Sequence, residues 1–114
     1  MKKEKISISF KKKKISLPVK KLNALEMARG LMFRKKKNSS ILLFEFPYSS
    51  RWKIHSWFVF FDFIAVWLDD EKKVIETKVI KPWKVCIRPY KNSRYLIEIP
   101  RGKEPKKLRE ALDE

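Results

Sequence analysis

The run Trp57–Leu68 constrains this chain more than any other segment, because it is apolar on both alternating sets with Asp62 as its one charged residue. A strand with one wet face alternates apolar and polar residues, so a strand apolar on both sets must be covered on both faces. The run therefore predicts a central strand in a closed or two-layer sheet, broken at Asp62. It has about half of the roughly 20 apolar residues that a membrane helix requires, and a carboxylate in its middle argues further against a membrane setting. Ile6–Phe10, cut off by Lys11, is too short for the apolar part of a signal peptide. A cytoplasmic protein with no membrane partner is expected.

The rest of the chain reads mostly as strands. Ile6, Ile8 and Phe10 alternate with serines, and Ile15 and Leu17 resume the alternation, giving two short strands. The pattern changes at Asn23, where an Asn followed three residues later by Glu26 forms a capping-box start. Leu25, Met27, Ala28, Leu31 and Met32 then recur at helical spacing, which predicts a short helix near residues 24–29 ending at Gly30 in a left-handed conformation. Ile41–Phe46 reads as a buried strand stopped by Pro47, with a polar loop on to Lys53. Asp69–Lys72 supplies a hairpin turn, Lys73–Ile80 and Arg94–Ile99 are strands, and Lys84–Arg88 is a weaker one. Leu108, Ala111 and Leu112 have helical spacing within a tail so charged that it supports a frayed helix at most. The expectation is one domain over residues 1–114, mainly β, a compact sandwich or barrel-like fold with a core at about 6–100 and a charged tail at 101–114.

Charge narrows the partners. The net charge is +16, and residues 1–37 carry fourteen basic residues against Glu4 and Glu26. Two runs dominate, Lys11-Lys12-Lys13-Lys14 and Arg34-Lys35-Lys36-Lys37. Lysines on exposed edges discourage strand addition by another chain, and that reading competes with a nucleic-acid or other anion-binding face. Trp52 lies between Arg51 and Lys53, and Trp83 precedes Lys84, so these are the positions where bases of a single strand would stack; capping the ends of a barrel is the alternative use. An excess of lysine over arginine and the absence of glutamine fit a thermophilic source.

Several chemistries are excluded by count. One histidine and one cysteine leave too few ligands for a protein-only zinc site and no intramolecular disulfide, and two glycines cannot build a phosphate-cradling loop. No metal or cofactor is expected. Asp62, inside an apolar run, requires a partner, for which Arg34 or backbone amides at a bulge are the candidates. Glu98 is assigned to the solvent face of its strand, paired with a cross-strand cation. His55 precedes the apolar run and is the residue with which Asp62 would form a proton-transfer pair. Cys86, between Val85 and Ile87, reads as a small buried thiol.

The order of four blocks carries a resemblance: Gly30-Leu31-Met32-Phe33-Arg34 after a capped helix, Ile41-Leu42-Leu43-Phe44-Glu45-Phe46, the aromatic run ending in Asp62-Phe63-Ile64-Ala65-Val66-Trp67-Leu68-Asp69, and Tyr95-Leu96-Ile97-Glu98-Ile99-Pro100. Over about residues 13 to 102 this order resembles uncharacterised protein family 0127, also called domain of unknown function 192. The chain departs from the common pattern at Ile41-Leu42, at Phe60-Phe61 and at Phe58. The resemblance implies a mainly β domain with one short helix and implies no established activity. With no catalytic constellation legible, the function expected is a non-enzymatic module that binds a protein or a small ligand. Weak, sequence-independent nucleic-acid binding through the lysine-rich half and an enzyme using Asp62 and His55 are the alternatives.

Overall fold

A computed structural model describes residues 2–23, 26–27, 30–32 and 34–113. Its strands are β1 (Lys2–Phe10), β2 (Lys13–Lys21), β3 (Leu42–Ser50), β4 (Phe63–Leu68), β5 (Val74–Ile80) and β6 (Ser93–Pro100), followed by helix α1 (Lys106–Leu112). They form one mainly β, barrel-like sheet in the order β1-β2-β3-β6-β4-β5, antiparallel except where β2 meets β3. The sheet curls until its two edges meet: the Ser9 amide donates to the Lys72 carbonyl at 3.0 Å, beside a Ser9–Lys73 bridge.

The apolar run divides at Asp62. Phe63–Leu68 is the central strand and is buried at every position, whereas Trp57–Asp62 is loop. Inside the curl lie Ile6 and Ile8, Ile15 and Leu17, Leu43, Val66 and Ile97. The opposite face of β3, β6 and β4 carries Leu42, Phe44, Leu96, Ala65 and Trp67, and it is covered in turn by Leu22, Leu31 and Val59 from the loops. Both faces of the central strands are therefore apolar, while β1 and β2 alternate and leave their lysines and serines in water.

Several boundaries differ from the sequence expectation, each for a local reason. β1 and β2 are longer, because a two-residue turn at Lys11 and Lys12 with φ of 49° and 65° lets the hairpin pair from Lys2 to Lys21. Pro47 does not stop β3; the register slips between Glu45 and Ser50, and that bulge takes up the residue without an amide hydrogen. Lys84–Arg88 contributes an Ile54–Ile87 bridge and no strand. Cys86 is exposed, with a φ of 57°, contrary to the buried thiol expected.

The charged tail is packed: Leu108 and Ala111 of α1 are fully buried against the interior cluster, and Lys11 donates from Nζ to the Ala111 carbonyl at 2.7 Å. A cation at a helix C-terminus satisfies a carbonyl that has no partner within the helix. The earlier helix expected near residues 24–29 is described at Glu26 and Met27, which are helical; Ala24, Leu25, Ala28 and Arg29 lie outside the described residues. Its start is the capping box: the Glu26 amide donates to Asn23 Oδ1 at 2.8 Å and the Asn23 amide donates to Glu26 Oε1 at 3.0 Å. Gly30 has a φ of 53°, the left-handed conformation expected of it.

Candidate functional site: a cavity over Glu98

Glu98 stands on β6 between Leu42 of β3 and Ala65 of β4, neither of which offers a charge. This overturns its assignment to the solvent face. It is 5% exposed, and among the described residues its carboxyl has no hydrogen-bond or ion-pair partner. The error has a physical cause. A polar residue in an alternating strand marks the wet face only when one face is wet, and β6 has core on both sides. Burial pushes the Glu98 carboxyl up to about 8.

The carboxyl lines a cavity of about 210 Å³. Phe44, Phe46 and Val59 form apolar walls, and the segment before β3 contributes Met27, Gly30, Leu31 and Met32 from above. Lys53, Ile54 and His55, from the loop after β3, complete the lining. Arg34 fastens the cover, donating from Nε to the Gly30 carbonyl at 3.0 Å. Ser56 fixes the loop: fully buried, it donates from Oγ to the Lys81 carbonyl at 2.6 Å and accepts from the Lys84 amide at 2.7 Å. The arrangement joins one protonatable carboxyl to an apolar chamber with basic residues among its lining.

The other candidates lie elsewhere. Asp62 is half-buried at the start of β4, 2.8 Å from Lys81 Nζ and 3.4 Å from Arg101 Nη1, and not paired with Arg34. The Lys81 hydrogen bond, aided by Arg101, holds its carboxyl below the usual carboxylate range. His55 accepts the Trp57 amide on Nδ1 at 3.2 Å and packs against the Trp57 ring, and the described hydrogen bonds and ion pairs do not join it to Asp62. Lys12, Lys13 and Lys14 are exposed with Lys11 at the hairpin tip, and Lys35, Lys36 and Lys37 are exposed around a short 3-10 turn at Lys36–Asn38. Trp52 stacks on Phe46 at 5.2 Å and donates from Nε1 to the Tyr48 carbonyl. Trp83 is 53% exposed and meets Phe58 edge-on at 4.9 Å. Among the described residues, no three His, Cys, Asp or Glu side chains gather as a metal site, and no helix is long and apolar enough to cross a membrane.

The lining residues Met27, Phe44 and Val59 are indistinguishable from core in the sequence. Of the residues singled out in the sequence, Glu98, Gly30 and His55 line the cavity and Arg34 holds its cover, and Glu98 lies in the last of the four blocks that carry the family pattern. The family model of DUF192, described as uncharacterized ACR, COG1430, matches residues 6–107. The chain belongs to this family. A UPF0127 protein of Pyrococcus horikoshii is 31% identical over 78 residues, which are 68% of this chain and 67% of the relative. One from Thermococcus kodakarensis is 36% identical over 80 residues, 68% of this chain and 50% of the relative. These relatives come from thermophilic archaea. Two crystal structures share the DUF192 chain's fold. One, from Sinorhizobium meliloti 1021 and provisionally named a transcription regulator, has a TM-score of 0.75 at 15% identity, covering 89% of this chain and 82% of its own. The other, a protein of unknown function from Novosphingobium aromaticivorans, has a TM-score of 0.73 at 12% identity, covering 88% of this chain and 74% of its own.

Proposed function

We propose that this DUF192 chain is a cytoplasmic, non-enzymatic module that binds a small organic ligand in the cavity over Glu98. The observation that carries the reading is a buried carboxyl, without a partner among the described residues, on the wall of an apolar chamber. A carboxyl in a core strand with no protein partner carries a desolvation cost that packing does not offset, so its retention favours a role beyond packing. The size also suits a small molecule, since an apolar cavity of about 150 Å³ is large enough for benzene. Nucleic-acid binding through Lys11–Lys14 draws less support, because Lys11 already holds the α1 carbonyl. Asp62 and His55 as an acid–base pair draw less still, since Asp62 is engaged by two cations.

The test is methyl nuclear magnetic resonance of the three methionines while small ring compounds are titrated in. Shifts at Met27 and Met32 that saturate, with residues of the hairpin tip unmoved, are expected. A response confined to the lysine runs, or none, would overturn the cavity as the site.

A further inference from the structure

We propose, resting on that reading, that Glu98 meets its ligand as a neutral carboxyl, and that the ligand is an uncharged ring bearing a hydrogen-bond acceptor beside a donor, as on a lactam or amide edge. Three observations lead there. First, the strand partners of Glu98 are Leu42 and Ala65, and among the described residues nothing donates to its carboxyl, so a carboxylate there would be an uncompensated charge in an apolar wall. A protonated carboxyl carries one O–H donor and one carbonyl acceptor side by side, and a lactam edge satisfies both at once. Second, the charge that shares the cavity lining is that of Lys53, on a chain of net charge +16. A cationic ligand would meet a repulsive field before reaching Glu98, whereas an uncharged one meets none. Third, the walls suit a flat apolar body, with Phe44 and Phe46 supplying rings and Met27 and Met32 supplying adaptable thioethers.

The titratable groups facing the cavity are Glu98 from β6 and Lys53 and His55 from the loop after β3; the strand partners and the cover residues above add none among those described. Burial pushes Glu98 up to about 8, which leaves it mostly neutral at neutral pH. No proton is transferred in the binding step below that value.

The experiment uses 2-pyridone, which carries a carbonyl beside a ring N–H and stays uncharged over the range tested, with N-methyl-2-pyridone and benzylamine as comparisons. Binding is read from the Met27 and Met32 methyls of wild type, Glu98→Gln and Glu98→Leu at pH 7 and pH 9. For wild type, 2-pyridone affinity is expected to fall about tenfold between the two, as the neutral fraction falls. Glutamine reproduces the donor and acceptor of the neutral acid, so Glu98→Gln should hold its affinity within about threefold at both pH values, while Glu98→Leu and the N-methyl probe each lose about tenfold or more. A pH profile that persists in Glu98→Gln would assign the titration to another group and overturn the inference. Benzylamine binding that disappears in Glu98→Gln would make Glu98 a cation site; the cavity would stand and the neutral-edge inference would fall. If none of the probes moves either methionine, both readings fall together.

Discussion

Gly30 lies against Glu98 so closely that a Cβ at position 30 would stand 3.4 Å from Glu98 Oε1 and 3.3 Å from Cζ of Phe44. The glycine answers two demands, a φ of 53° that side chains disfavour and the narrow space above a buried carboxyl. Gly30→Ala is therefore expected to lose about 1–2 kcal/mol of stability in chemical denaturation. Stability equal to wild type would show that the turn relaxes without cost.

Glu98 sets a pH dependence whose sign follows from burial. Its folded value is raised to about 8 from an ordinary 4.5, so both states hold the proton below the ordinary value. Between the two values the unfolded chain releases its proton and the folded chain does not, and stability falls as pH rises until the loss levels off above about 8. Relative to Glu98→Gln, wild type should lose on the order of 3–4 kcal/mol between pH 5 and pH 8. Urea denaturation of both proteins at pH 5 and pH 8 measures it, and a constant difference between them would refute the burial argument.

The β1–β2 turn stores strain that a single substitution releases. Lys12 has a φ of 65°, which glycine adopts freely and lysine does not. Lys12→Gly should raise stability by about 0.5–1 kcal/mol, measured by thermal melting together with Lys11→Gln. Lys11→Gln is expected to move the other way by about 0.5–1 kcal/mol, because the cation at the end of α1 is lost.

Asp62 should matter little for stability. Its partners Lys81 and Arg101 are more than half exposed, and exposed pairs are screened by water and salt. Asp62→Asn is expected to melt slightly below wild type in low salt and level with it in about 1 M salt, where the Debye length is about 3 Å. Because the folded carboxyl sits below its ordinary 3.8, any contribution is present above that value and lost as pH falls through the folded one. A large deficit that salt does not reduce would restore the buried pairing expected from the sequence.

What could be read from the residues follows a physical divide. Local rules were legible where a single neighbour decides the outcome: Asn23 with Glu26 closed the capping box, Gly30 took its left-handed turn, and Ile6, Ile8, Ile15 and Leu17 alternated into the core. Where the second face of the sheet decides, the reading failed. Glu98 faces core because β6 is covered on both sides, which its own alternation does not reveal, whereas the break expected at Asp62 is where β4 begins, at Phe63. Leu108 and Ala111 showed helical spacing, yet nothing local to them reveals that Lys11, a hundred residues away, closes the end of their helix. The cavity was the least legible feature, since Met27, Phe44 and Val59 have the composition of any core.

The parallel pairing of β2 with β3 has a consequence for the chamber. Parallel neighbours cannot be joined by a tight turn, so the chain leaving Lys21 must travel back before it re-enters the sheet at Leu42. That return path is the stretch whose Met27, Gly30, Leu31 and Met32 close over Glu98. The cover is thus also the tether of the N-terminal hairpin, and shortening it enough to bare the carboxyl would strip Lys20 and Lys21 from their partners Leu42 and Leu43. The amides of Lys20 and Leu22, which donate to the carbonyls of Ile41 and Leu43, sit where that tether begins. Their rate of hydrogen exchange reads how firmly the tether is held where it leaves the hairpin.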